Sequence, residues 1–144
     1  MHHTDFLSRI EHGKVVAAIA EAEKRTSGEI RVWISHREVK DALESAQQRF
    51  HKLGMHKAAE RNGVLVYVAP RSRAFAVVGD KAAHEKCGDT FWKEVAAQLE
   101  ADLKREAFTD ALLGAVRKIG DVLAEHFPRR TGGENRPPGD AVHS

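Results

Sequence analysis

The sequence predicts an α/β fold: a three-layer α/β/α sandwich around a small mixed sheet. Three patterns indicate it. Residues 29–34 alternate between apolar and polar side chains, as in a half-buried strand. Residues 64–69 are continuously apolar, as in a central strand covered on both faces, and a second short apolar run follows at 74–78. Helical apolar periodicity occupies the chain before, between and after these strands.

The first helix is predicted to begin near Ser8. Ser8 and Glu11 have the spacing of a capping box, in which the two residues satisfy each other's backbone amides. Thr26-Ser27-Gly28 predicts the end of this helix, and the strand at 29–34 begins immediately after it.

The central part of the chain predicts a second helix and a β-hairpin. Residues 39–53 carry apolar side chains at helical spacing, and Gly54 is a natural C-terminal stop. The strand at 64–69 breaks at residues 70–73, and the strand at 74–78 is short enough to return from it as a hairpin.

The remainder of the chain predicts helices followed by a tail. Apolar stripes at helical spacing cover residues 91–103 and 108–123, and Pro128 ends the last helix. Residues 129–144 have almost no apolar content, which is typical of a disordered tail. The sequence therefore predicts one ordered domain, residues 1–128.

Composition excludes several classes of protein. The chain has 144 residues, 42% of them hydrophobic and 31% charged, which is typical of a single globular domain. The net charge of +2 is too small to indicate a nucleic-acid partner. No apolar stretch is long enough to span a membrane, and no signal peptide is evident. The single cysteine, Cys87, fits a reducing compartment, so we expect a cytoplasmic protein. We also expect it to be a monomer.

The strand order brings three chain segments to one edge of the sheet. A helix between two strands makes 29–34 and 64–69 parallel, so both begin at the edge where the antiparallel third strand ends. Glu29, Asn62 and Asp80 stand at these strand ends. Their oxygens are hard ligands of the kind that Ca²⁺ or Mg²⁺ prefers, which predicts a divalent-cation site. The alternative is that Asn62 and Asp80 are ordinary turn residues.

The opposite edge of the sheet collects positive charge. Ligands of open α/β sheets usually bind beyond the carboxyl ends of the parallel strands, which is this edge. Guanidinium groups and a hydroxyl there indicate an anion site for a phosphate or carboxylate. The alternative is that these arginines are only solvated. The predicted anion-binding residues are His36, Arg37, Arg71, Ser72 and Arg73.

Signatures of common enzymes are missing from the sequence. The nine histidines show none of the spacings that indicate a zinc site, and His51 and His56 are predicted to face solvent. The serine-hydrolase, P-loop and dinucleotide-binding motifs are also absent.

Four motifs carry a resemblance to a known family. They are T-S-G-E-I at 26–30, R-N-G-V-L at 61–65, G-D at 79–80 and F-W at 91–92. With these motifs, residues 8–128 resemble the TPM domain family, which is named for a thylakoid-lumen protein of photosystem II repair and its bacterial and animal relatives.

The resemblance implies a compact α/β/α sandwich. It also implies calcium binding, described for some members, and weak acid phosphatase activity, described for the plant relative. Many bacterial members are associated with the cell envelope, which this sequence does not predict for itself. The phosphatase motifs Cys-x5-Arg and DxDx[TV] are absent, so the enzymatic activity carries over poorly.

Two functions follow as hypotheses. The first is a non-catalytic binding module that holds a divalent cation or a protein partner and serves protein maintenance or assembly. The second is a weak metal-dependent acid phosphatase, in which Glu29 and Asp80 hold the metal and a metal-bound water attacks a phosphomonoester.

Overall fold

The computed structural model describes residues 11–129. The described elements, in chain order, are α1 His12–Glu23, β1 Ile30–Ile34, α2 Ala42–Lys52, β2 Val64–Ala69, β3 Ala74–Gly79, α3 Lys81–Cys87, α4 Asp89–Lys104 and α5 Phe108–His126. Two short 3-10 turns, Met55–Lys57 and Pro70–Ser72, lie between α2 and β2 and in the hairpin.

The three strands form one mixed sheet in the order β1-β2-β3. β1 pairs in parallel with β2, with Ile30 opposite Val64, and β2 pairs antiparallel with β3, with Val64 opposite Gly79. The parallel βαβ unit and the antiparallel hairpin are therefore confirmed.

Helices cover both faces of this sheet, which confirms the three-layer α/β/α sandwich. One core lies between the sheet and helices α1, α4 and α5; the other lies between the sheet and α2. Val64, Val66 and Val68 of β2 point into the first core, while Leu65 and Tyr67 point into the second. Because successive side chains of a strand alternate between faces, a strand buried on both faces reads as one apolar run.

The helical part of the chain after β3 differs from the prediction in one respect. A separate short helix, α3, precedes α4, and the break between them is at Gly88, whose φ is +84°. Only glycine adopts such a backbone conformation readily, so the helical run cannot continue through this residue.

The two predicted ends of the domain fall largely outside the described residues. Ser8 and residues 130–144 of the predicted tail lie there, so the tail stays a prediction. The predicted capping box required Glu11 to be helical, and this expectation is wrong, because α1 begins at His12 and Glu11 precedes it with a non-helical φ of −89° and ψ of 86°. Within the described range, Glu11 is the N-cap residue of α1, and its N–H donates to Thr109 Oγ1 at 3.0 Å. At the other end, the N–H of Arg129 donates to the carbonyl of Arg25 at 3.2 Å.

Candidate functional site

The start of β1, the start of β2 and the end of β3 meet at one edge of the sheet, here called the amino edge. The N–H of Val64 donates to the carbonyl of Glu29 at 2.8 Å, and the N–H of Asp80 donates to the carbonyl of Gly63 at 2.8 Å. The three segments therefore converge as the topology predicts, although 51 positions of sequence separate Glu29 from Asp80.

Asp80 is the buried charge of the amino edge, with 7% of its surface exposed. Its carboxylate accepts two hydrogen bonds from the Arg61 guanidinium, at 2.7 Å from Nε and 2.8 Å from Nη2, and a third from the N–H of Lys81 at 2.8 Å. Burial by itself raises the pKa of Asp80, but the hydrogen bonds from Arg61 and Lys81, with the charges of Arg61 and His56, outweigh it and lower that pKa below its usual value. Asp80 is thus held as an anion.

Arg61 is the residue of this edge that sequence reasoning missed as a partner for Asp80. Its φ is +52°, in the left-handed region that a non-glycine residue adopts only where the surroundings hold it. Its carbonyl accepts from the N–H groups of Ala82 and Ala83, at the first turn of α3. The one available signal was that an arginine and an aspartate stood at converging strand ends.

The other two predicted cation ligands also have protein partners. Glu29 Oε2 accepts from Arg31 Nε at 2.8 Å, and Asn62 Nδ2 donates to Ser27 Oγ at 3.1 Å. Within residues 11–129, no group of three or more His, Cys, Asp or Glu side chains is placed to hold a metal ion. The backbones of Glu29, Asn62 and Asp80 meet at the amino edge of the sheet, and the divalent-cation site stays a prediction.

A cleft of about 580 Å³ opens beside Asp80. It lies between α2 and the end of β3, and its charged groups include both Asp80 and Arg61. The lining residues are Glu44, Gln47, Gln48, Phe50, His51, Lys52, His56, Arg61, Val78, Gly79 and Asp80. This cleft is the candidate functional site.

Two histidines of the cleft differ from each other in exposure. His51 is exposed, as the sequence predicts, whereas His56 is half-buried. Burial and the electrostatic effects of His51, Lys57 and Arg61 lower the pKa of His56 against the opposing effect of Asp80. His56 is therefore a neutral imidazole at neutral pH.

The opposite, carboxyl edge of the sheet is built differently. The loop after β1 and the hairpin turn are joined by a hydrogen bond from the N–H of Val39 to Ser72 Oγ at 2.8 Å. His36, Arg37 and Arg71 are exposed there.

Arg73 of the predicted anion site is also exposed, and it lines a second cleft, of about 750 Å³, with Phe75 and the end of α4. The structure therefore brings the two loops of the carboxyl edge together through Ser72. The anion site itself stays a prediction.

Comparison with protein families identifies the chain. The family model of the TPM domain matches residues 1–122. The chain belongs to the TPM domain family.

A solved structure supports the same assignment. The NMR structure of the BA42 protein from the psychrophilic bacterium Bizionia argentinensis is 34% identical in sequence to this chain, and it superposes with a TM-score of 0.81. The match covers 89% of this chain and 88% of that one. No curated protein matches the chain significantly.

Two glycines of the TPM motifs stand where a side chain would fit only tightly. A Cβ on Gly28 would lie 3.0 Å from the carbonyl oxygen of Asn62, and a Cβ on Gly79 would lie 3.0 Å from the Trp92 ring. The G-D and F-W motifs therefore meet in space, since Trp92 covers the end of β3.

Among residues 11–129, no helix combines the length and the apolar character that crossing a membrane requires.

Proposed function

We propose that this TPM domain is a non-catalytic binding module whose ligand site is the cleft beside Asp80. One observation carries the proposal: three distant segments of the chain converge to place a buried, ionised carboxylate in the wall of an open cleft. Buried charges are costly unless they are paired, and they mark functional sites more often than surface charges do. In the proposal, a Ca²⁺ or Mg²⁺ ion or a charged group of a protein partner engages this carboxylate.

The composition of the cleft favours binding over catalysis. Its described lining contains carboxylates, amides, histidines and basic groups, without a serine, threonine or cysteine side chain. Both oxygens of Asp80 already accept hydrogen bonds. A carboxylate in such use is poorly suited to accept a proton from an attacking water, because its pKa is lowered.

Arg61 and a cation compete for Asp80 in this proposal. A divalent ion at the amino edge binds Asp80 only if the Arg61 guanidinium swings away, and Arg61 has the freedom to do so because 48% of its side chain is exposed. The other predicted ligands at this edge are Glu29, which must leave Arg31, and the amide oxygen of Asn62, whose Nδ2 donates to Ser27; neither residue lines the cleft itself. The arginine thus lowers the affinity of the site for a cation.

The test uses this competition. We expect millimolar Ca²⁺ to raise the melting temperature of the wild type slightly, to raise that of Arg61→Gln more, and to leave that of Asp80→Asn unchanged, because binding to the folded state alone stabilises it. The matched control is Glu94→Gln, which removes an exposed carboxylate of α4 and keeps the wild-type response. Equal calcium responses in Arg61→Gln and Asp80→Asn would show that Asp80 is not a cation ligand.

The alternative function, a weak metal-dependent acid phosphatase, is favoured by the name of the family model, TPM phosphatase. In that case Glu29 and Asp80 hold the metal and a metal-bound water attacks the phosphomonoester. Hydrolysis of p-nitrophenyl phosphate by the wild type and by Asp80→Asn separates the two functions. The binding-module proposal expects the same background rate for both proteins, whereas the phosphatase requires a large loss in Asp80→Asn.

We further propose that the module is a monomer that binds a protein partner in protein maintenance or assembly. The cytoplasmic location stays a prediction, supported by the single cysteine of the sequence. Sedimentation equilibrium at micromolar concentration checks the monomer, and a mass twice that of the chain would contradict it.

A further inference from the structure

Two histidine rings meet at the end of α2, in the wall of the cleft. His51 belongs to the last turn of α2, and His56 belongs to the 3-10 turn that follows. Gly54 lies between them with a φ of +73°, which reverses the chain direction at a position that favours glycine. The ring centroids are consequently 4.2 Å apart, with the ring planes tilted by 39°.

One nitrogen of this pair is buried without a hydrogen-bond partner among the described residues. This nitrogen is Nδ1 of His56. Leaving a buried polar atom unsatisfied costs free energy, and such atoms in native structures call for an explanation such as an ion or a water. A ligand that engages this nitrogen removes that cost.

His51 is free to turn towards its neighbour. The His51 side chain is exposed and makes no hydrogen bond to another described residue; its ring contacts are with Phe50 and His56. Rotation about its side-chain bonds can therefore direct one of its nitrogens towards a point shared with His56.

We propose that His51 and His56 together bind a divalent transition-metal ion of the Zn²⁺, Ni²⁺ or Cu²⁺ class. Imidazole nitrogens suit these ions, whereas Ca²⁺ and Mg²⁺ prefer oxygen. Asp80 remains with Arg61, so water fills the other coordination positions.

A metal ion binds the neutral imidazole and competes with protons for it. The inference does not rest on the proposed calcium site, because the ligands of that site are different residues.

Calorimetric titration of the full chain with ZnCl₂ tests the pair. We expect one ion per chain at this site, and a loss of affinity of roughly tenfold or more in both His51→Ala and His56→Ala, because either substitution removes the chelate. His84→Ala is the matched control, since it removes an exposed histidine of α3 outside the cleft, and its affinity stays at the wild-type value.

Two further comparisons make the result specific. His2 and His3 are adjacent in the sequence and lie outside the described residues, so the His2→Ala/His3→Ala variant must retain the cleft site. Asp80→Asn is expected to keep zinc binding while losing the calcium response, which distinguishes failure of this inference from failure of the proposed function. Zinc affinity that survives in either His51→Ala or His56→Ala, or that disappears with His2 and His3, overturns the inference.

Nuclear magnetic resonance of the wild type provides a readout that does not depend on the folding of any variant. With histidine labelled with ¹⁵N, the imidazole signals of His51 and His56 are expected to shift together on addition of one equivalent of Zn²⁺. Shifts confined to other histidines would contradict the proposed pair.

Discussion

The charged side chains at the two edges of the sheet differ in burial and in their partners. At the amino edge, Asp80 is buried and Arg61 closes over it with two hydrogen bonds. At the carboxyl edge, Arg37 and Arg71 are exposed, and the loops are joined instead by the neutral hydroxyl of Ser72. Both edges carry arginines close to loops, but at the amino edge the arginine also pairs with a carboxylate that is only 7% exposed.

This difference shows when a charged side chain at a strand end contributes to the stability of the fold. A buried carboxylate must find a partner inside the protein, since the cost of leaving it without one is several kcal/mol. An exposed guanidinium already has water as its partner, so it stabilises the fold little. Substitutions at the amino edge should therefore change the stability of the fold, whereas substitutions at the carboxyl edge should mainly change ligand binding.

The largest expected effect is at Arg61. Arg61→Ala leaves Asp80 buried without its ionic partner, and we expect it to lower the free energy of unfolding more than Asp80→Asn or Ser72→Ala does, although less than the loss of a fully buried pair, because Arg61 is half exposed. Urea denaturation measures it. Arg61→Lys keeps the charge but not the two-bond geometry, so its free energy of unfolding should lie between those of the wild type and Arg61→Ala.

A matched ion pair elsewhere in the chain is the control for this prediction. Arg25 and Asp121 form an exposed pair at 3.0 Å, so Arg25→Ala should cost less than about 1 kcal/mol. A similar loss of unfolding free energy for Arg61→Ala and Arg25→Ala would show that burial of Asp80 contributes nothing to the stability of the amino edge.

An intermediate effect, dependent on pH, is expected for Asp80. Because the folded-state pKa of Asp80 lies below its unfolded value of about 3.9, the ionised carboxylate stabilises the fold above that value, and this contribution is lost as the pH falls through the folded pKa. Asp80→Asn should be less stable than the wild type by about 1–2 kcal/mol near pH 7. The difference should persist to about pH 5 and shrink below about pH 4.

Thermal unfolding of both proteins between pH 3 and pH 7 measures this dependence. The two melting curves should converge at the acidic end of the range. A difference that stays constant down to pH 3 would mean that the charge of Asp80 is not what stabilises the amino edge.

The smallest effects are expected at the carboxyl edge. Ser72→Ala removes the acceptor of the Val39 N–H and should cost about 1 kcal/mol, while Arg71→Ala should change stability by less than about 0.5 kcal/mol. Urea denaturation of both variants measures these values. A loss at Arg71 as large as that at Arg61 would erase the contrast between the edges.

The fold of this TPM domain was predictable because burial leaves a periodic trace in the sequence. The apolar run of β2 indicates a strand between two helical layers, and the alternation of β1 indicates a half-buried strand. Chain connectivity then made β1 and β2 parallel and brought Glu29, Asn62 and Asp80 to one edge. The separate helix α3 was less predictable, because its end depends on the backbone conformation of one residue, Gly88.

By itself the sequence determined the layers, the strand order and the meeting of the three segments at the amino edge. Only the tertiary structure decided which side chain pairs with which. Arg61 pairs with Asp80 across 19 positions, and the rings of His51 and His56 touch because Gly54 reverses the chain between them. Periodicity reports the environment that many residues share, whereas a side-chain pair depends on a few ångströms of position that no local pattern encodes.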